Sequence, residues 1–218
     1  VINHLLIQQA LRTQLLTLEV CTTGSTDLAA TTTGYTRAVG SFLTDGFRAG
    51  MEVTGTGFSE SANKSAKTIT SVTATTLTCS GCTTESETTA TLTVGLPADQ
   101  AWENMDFTPT TGSPWIEENY LPGPMEQITL GPYGELQADP IYVVKVYVPI
   151  GVKIGAPRAY ADALLTLFAP RTAITVAGHT CVVRTRPGPF SGQLLRTETG
   201  FVVVPITVPL RVRTANSI

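Results

Sequence analysis

A chain of 218 residues can form one large domain or two small ones, and either buries a core of ordinary size. Hydrophobic residues at 42% against 14% charged describe an ordered protein of low surface charge, the opposite of the balance that leaves a chain disordered. A formal charge of −3 supplies no overall basic field for wrapping a nucleic-acid backbone, and no apolar run approaches the roughly 20 residues that span a bilayer.

From Val1 to Leu18, the apolar residues Ile2, Leu5, Leu6, Leu11, Leu15, Leu16 and Leu18 recur at helical spacings and leave Gln8, Arg12 and Gln14 mostly on another side. This predicts an amphipathic helix whose apolar face covers a sheet of its own subunit. Polar interruptions at Asn3, His4 and Gln8 distinguish it from a signal peptide, so the four cysteines are expected to be thiols in a reducing compartment.

At Cys21 the composition changes. Residues 21 to 96 hold 30 Ser and Thr among 76 with no helical period, which favours strands and turns over helix interiors. Strands are expected at Tyr35–Val39, Met51–Phe58, Ala66–Thr73, Thr76–Ser80 and Thr88–Val94, with Ala74-Thr75 as a tight hairpin turn. Residues 21–95 thus read as a small all-β insertion in a host domain made of residues 1–20 and 96–218.

The host resumes with Ala101 to Glu135, where Trp102-Glu103-Asn104 and Phe107-x-Pro109 precede Gly112-x-Pro114-Trp115-Ile116 and a Pro/Gly-rich stretch leads to Leu130-Gly131. Proline fixes φ and biases the residue before it towards extended backbone, so Trp115 should begin a strand. Ile141 to Pro149 alternates as a central strand, and Ala156 to Phe168 reads as a second helix with Ala161, Leu164, Leu165 and Phe168 as its stripe and Pro170 as its stop. Strands follow at Ala173–Val176, Thr180–Arg186 and Gly200–Leu210, and Pro205 marks the last as an edge strand or a bulged one. Together these give an α+β fold: an antiparallel sheet with two helices on one face, plus the inserted β domain.

Little chemistry is visible. Cys79-Ser80-Gly81-Cys82 has the spacing of a zinc knuckle or redox pair but lacks a second pair, so plain thiols and a half-formed metal site both stay open. His4 and His179 are the only histidines, and neither accompanies a nucleophile elbow or a phosphate-binding loop. No cofactor is expected. Glu117 and Glu118 are adjacent on a strand and point to opposite faces, one as a surface charge and one as an interface charge.

Charge is unevenly spread. Residues 97 to 144 hold eight acids and no Lys or Arg, a net of −8, whereas residues 145 to 218 hold nine basic residues and two acids, a net of +7. Either these stretches neutralise each other within a subunit, or an acidic edge of one copy meets a basic edge of the next. The second option nominates Glu117, Glu118, Glu126, Glu135, Arg158, Arg184, Arg186, Arg196, Arg211 and Arg213 as contacts between subunits or with partners. The two longest irregular stretches, Leu121–Leu136 with Pro122, Pro124 and Tyr133, and Pro187–Glu198 with Pro189 and Phe190, are expected to be axial contact loops.

The order of Trp102-Glu103-Asn104, Phe107-x-Pro109, Gly112-x-Pro114-Trp115-Ile116 and Leu130-Gly131 resembles the tail terminator, or tail completion, proteins of long-tailed bacteriophages. The resemblance continues in the strand ending at Pro149, the helix with Ala161-Asp162-Ala163-Leu164, and the Phe201–Pro205 strand. The block from Gly40-Ser41-Phe42 to the Ser71–Thr78 hairpin looks like a β domain found in phage tail and neck proteins. The resemblance implies a structural virion protein with no enzymatic activity. It implies a hexameric ring on the head-proximal end of the tail tube, assembled in the host cytoplasm, with a tube protein and a head connector as partners, DNA passing through its lumen without sequence-specific binding, and no membrane. Another neck or head-completion protein is the alternative; an adhesive carbohydrate-binding module would require Tyr35, Phe42, Phe47 and Phe58 to form an exposed platform, and a hydrolase would require a pocket joining several titratable groups.

Overall fold

The computed structural model describes residues 1–24, 27–87, 89–103, 105–130 and 134–215. In chain order its elements are α1 (His4–Leu15), β1 (Glu19–Thr22), β2 (Leu28–Thr31), β3 (Gly34–Arg37), β4 (Glu52–Thr56), α2 (Ser61–Lys64), β5 (Lys67–Thr68), β6 (Ser71–Val72), β7 (Thr76–Thr78), β8 (Glu85–Glu87), β9 (Thr91–Gly95), β10 (Asp99–Ala101), β11 (Trp115–Leu121), β12 (Met125–Gln127), β13 (Glu135–Ala138), β14 (Ile141–Pro149), α3 (Gly155–Leu167), β15 (Ala173–Val176), β16 (His179–Val183), β17 (Phe190–Ser191), β18 (Leu195–Arg196) and β19 (Phe201–Ala215).

The spine of the largest sheet is β19. β13 and β14 lie end to end along one flank in a single register, with Glu135 opposite Ala215, Ala138 opposite Val212, Ile141 opposite Pro209 and Pro149 opposite Phe201. β16, β17 and β18 occupy the other flank. β11 and then β10 extend the first flank, β15 extends the second, and β12 pairs with β13 as a hairpin. The sheet therefore ends laterally at β10 on one side and β15 on the other.

Pro205 lies inside this spine, which corrects the expectation of an edge strand or bulge. Its carbonyl accepts from the Gly192 amide at 2.7 Å, on the flank where the chain steps from β17 to β18. A strand residue turns its N and C=O to the same flank, so the missing N–H faces that step and leaves the pairing with Lys145 of β14 intact.

One face of the sheet carries α1 and α3, the predicted two-layer arrangement. Tyr142, Val144, Val146 and Val148 of β14, aligned with Val208, Ile206, Val204 and Val202 in register, alternate into that layer, and all four β14 side chains are fully buried. In α1 the buried stripe is Ile7, Leu11 and Leu15, an i, i+4, i+8 row, while Leu5, Leu6 and Leu16 are exposed, contrary to the sequence-based stripe. Asn3 caps this helix by accepting from the Leu6 amide at 3.2 Å. α3 buries Ala156, Pro157, Tyr160, Ala161 and Leu164, with Phe168 following it; Leu165 is half-buried.

The Ser/Thr-rich segment forms two further sheets, ordered β1-β9-β4-β5 and β6-β7-β3-β2-β8. The Ala74-Thr75 turn joins β6 to β7 as expected, but the Ala66–Thr73 strand is split into β5 and β6. Tyr35, Phe42, Phe47 and Phe58 are all buried, which removes the aromatic platform an adhesive module would need. The hydrophobic core runs without a break from these rings to α3 and β14. At that junction Gly50 has φ +89, and a Cβ there would lie 2.7 Å from Val152 and 2.9 Å from Val148.

Arg37 holds the loop after β3 together. Its side chain is 4% exposed, pairs with Asp45, donates from Nε to the Val39 carbonyl at 2.6 Å, and lies 5.0 Å over the Phe42 ring. Asp45→Ala would leave this guanidinium buried without its counter-ion and should cost about 3–5 kcal/mol, read as a lower urea midpoint at unchanged slope.

Candidate interaction surfaces

Strand alternation sends Glu117 and Glu118 of β11 to opposite faces, as the sequence requires. Glu118 shares the helix-facing row with Ile116 and Tyr120 and is fully buried. Arg12 pairs with its Oε1, Gln8 Nε2 donates to the same oxygen at 3.2 Å, and the Tyr142 hydroxyl donates to Oε2 at 2.8 Å. Burial, then the charge of Glu118, pushes the Tyr142 hydroxyl well above the ordinary phenol range. Arg12 also lies 5.0 Å over the Trp102 ring, and Gln8 reaches Glu103 at 2.8 Å. Glu118 is thus an internal counter-ion, which corrects its nomination as an interface charge: it has no surface to offer a partner.

Glu117 faces the uncovered side. Its carboxylate accepts from Lys145 Nζ at 2.7 Å, Tyr147 hydroxyl at 2.7 Å and Asn119 Nδ2 at 2.8 Å. Burial opposes ionisation at Glu117, but these hydrogen bonds outweigh it and hold the carboxyl below its usual range. Beside it Trp115 stacks on Tyr147 with centroids 3.7 Å apart, Phe107 lies 5.2 Å from Trp115, and Phe201 meets it edge-on at 6.1 Å. The aromatic motif of the sequence is therefore a ladder bracing β11 against β14 and the start of β19.

The nominated arginines separate into groups. Arg184, Arg186 and Arg211, joined by Arg171, line an open concavity of about 380 Å³ beside β16. Asp139 sits among them, 3.6 Å from Arg184 and 3.4 Å from Arg211. Arg213 donates to Gln137 at 3.1 Å. Arg158, exposed on α3, borders a different concavity with Ser191 and Gly192, and Arg196 is exposed on β18.

The two stretches expected to be irregular are so over most of their length, but each carries short strands paired to the sheet: β12 and the start of β13 in the first, β17 and β18 in the second. Glu126 and Glu135 lie exposed on the β12–β13 hairpin, reached through exposed Pro122 and Pro124; Tyr133 falls outside the described residues. Pro189 and Phe190 lead into β17, laid along the opposite flank of β19, with Phe190 half exposed. The structure does not bring the two together: the hairpin extends the sheet beyond the start of β14, whereas the second stretch runs beside the middle of β19 to a turn near Phe201.

Cys79 and Cys82 are buried with sulfurs 3.5 Å apart, and burial pushes the Cys79 thiol up to about 12. Among the described residues no three His, Cys, Asp or Glu side chains group as metal ligands, and no helix is long and apolar enough to cross a membrane.

Glu118→Ala should cost about 2–4 kcal/mol, because Arg12 and the Tyr142 hydroxyl lose a buried acceptor, and Glu118→Gln should cost less; urea unfolding checks both. For Glu117 the depressed folded value means its stabilisation is complete above the unfolded-state carboxylate range and lost as pH falls through the lower folded value. Lys145→Met should shift that loss to higher pH, measured as urea midpoints across the acid range.

The family model described as phage tail terminator protein matches residues 85–210, more than half of the chain. One solved structure, which carries no functional name, is 22% identical, covers 57% of this chain and 82% of its own, and has a TM-score of 0.41, too weak a likeness to bear on function. No curated protein matches. With Trp102, Trp115, the β14 strand, α3 and most of the β19 spine inside the matched span, the chain belongs to the phage tail terminator protein family and is a structural component of the virion tail.

Proposed function

We propose that this protein assembles as a hexameric ring on the head-proximal end of the tail tube, stops further tube growth and presents its other face to the head connector. Family membership supports the tail role. The observation that carries the finer reading is the difference between the two ends of the main sheet. At the β12–β13 end, Leu121, Met125, Ile128, Leu130 and Ile141 are exposed, Leu130 completely. An apolar group of this kind at the tip of a folded sheet is the signature of an interaction surface. The start of α1 is fixed at the same end by His4 Nδ1 to the Tyr120 hydroxyl at 2.8 Å and by the Asn3 amide donating to His179 Nε2 at 3.3 Å.

At the opposite end, near Val148 and Ser113, the sheet abuts the Ser/Thr-rich unit through Gly50 and through a Thr68 to Ser113 hydroxyl contact of 3.1 Å. In our reading the hairpin end seats on the last tube layer, and the other end, differently built, cannot recruit a further layer. Residues 21–95 then act as an insertion between residues 1–20 and 96–218 of the host domain, held outside the lumen through which DNA passes. Assembly takes place in the host cytoplasm.

Leu130→Asp combined with Met125→Asp changes exposed side chains only, so the fold should survive. Tubes polymerised with wild-type protein should reach a fixed length, and those with the double variant should keep growing; fixed lengths with both would refute the hairpin as the seat.

A further inference from the structure

We propose that the arginine concavity beside β16 is the receptor for the acidic turn after β10 of a second copy of this chain, so that copies join head to tail. This rests on the ring reading and names its lateral contact. Arg171, Arg184, Arg186 and Arg211 line the concavity, and among the described residues Asp139 is the carboxylate paired with them, through Arg184 and Arg211. Arg171 and Arg186 form no ion pair among the described residues, and the buried Arg184 Nε has no acceptor. Arg171 and Arg186 are exposed, so their unpaired charge is open to an incoming carboxylate.

The complementary element lies across the same sheet. Beyond β10 the chain turns with the Met105 amide donating to the Trp102 carbonyl at 3.1 Å; Glu103, Met105 and Asp106 are all exposed there. Glu103 accepts from Gln8, and neither it nor Asp106 has a basic partner among the described residues. Nearer the middle of the sheet, Glu117 is neutralised by Lys145, whereas Glu103 and Asp106 on one side and Arg171 and Arg186 on the other have no ion pair among the described residues. Exposed carboxylates on either side of an apolar Met105 complement a concavity whose arginines accompany Val182. Because β10 and β15 are opposite edges of one sheet, the contact joins different surfaces of successive copies, the heterologous type that closes into a ring when its rotation allows.

Carboxylates of this chain fit better than a nucleic-acid backbone. The protein is acidic overall, at −3, and two of the arginines that line the concavity, Arg184 and Arg211, already pair with a carboxylate, Asp139.

The test is sedimentation velocity of the wild type and of charge-reversed variants at about 50 mM and about 500 mM salt, where screening separates surface charge contacts from apolar ones. The wild type should associate at low salt and weaken at high salt. Arg171→Glu with Arg186→Glu should weaken association by about tenfold or more, and adding Glu103→Arg and Asp106→Arg to the same chain should restore it. Restoration excludes misfolding as the cause. A wild type that stays monomeric, variants that associate as the wild type does, or a failure of the combined variant to recover would each overturn the contact. So would unchanged association with lost retention on a DNA duplex, which would reassign the concavity to phosphates. If monomeric protein still fixes tube length, this contact falls while the terminator reading stands; if rings form and tubes ignore them, the reverse holds.

Discussion

The structure depends on one buried carboxylate. Glu118 has no exposed surface, and a charge in that position persists only when its oxygens are supplied with donors. Those donors come from two other elements: Gln8 and Arg12 from α1, and Tyr142 from β14. The ion pair thereby fixes α1 over β11, and through the Arg12 contact with Trp102 it also sets the course of the chain leaving β10. The Gln8 contact with Glu103, at the turn after β10, follows from the same placement.

Around this point the sheet is organised by β19. A strand that is paired on both flanks excludes proline unless the missing N–H meets a gap, and the step between β17 and β18 supplies one at Pro205. On its other flank the Asp139-Pro140 interruption separates β13 from β14 without breaking register, which lets the hairpin continue the sheet along the end of β19. Met125, Ile128 and Leu130 on it stay exposed, unlike the β14 side chains under the two helices, whereas Leu136 and Ala138 of β13 still reach the core.

Much of the host fold is legible in the sequence because its signals are local. Alternation over Ile141–Pro149 gives β14 with both ends correct, and Pro157, the apolar row and Pro170 give α3 to within a residue. The two-residue strands β17 and β18 carry no period to read, and Pro209 and Arg211 disguise the last third of β19. The pairing of charges was also out of reach. Lys145 meets Glu117, and Arg184 and Arg211 meet Asp139, only because sheet register brings distant segments side by side. The acidic and basic stretches therefore neutralise each other in part, while Arg171, Arg186, Glu103 and Asp106 keep their charge. Glu118 did leave a trace: it falls in the alternate row of Ile116 and Tyr120, where an acid signals a buried counter-ion.

The most direct test of the account is a cryo-electron microscopy reconstruction of tail tubes bound by this protein. It predicts density at one end of each tube, with Leu130 and Met125 of every copy against the last tube layer and residues 21–95 outside the channel. Density along the whole tube, or residues 21–95 lining the channel, would contradict it.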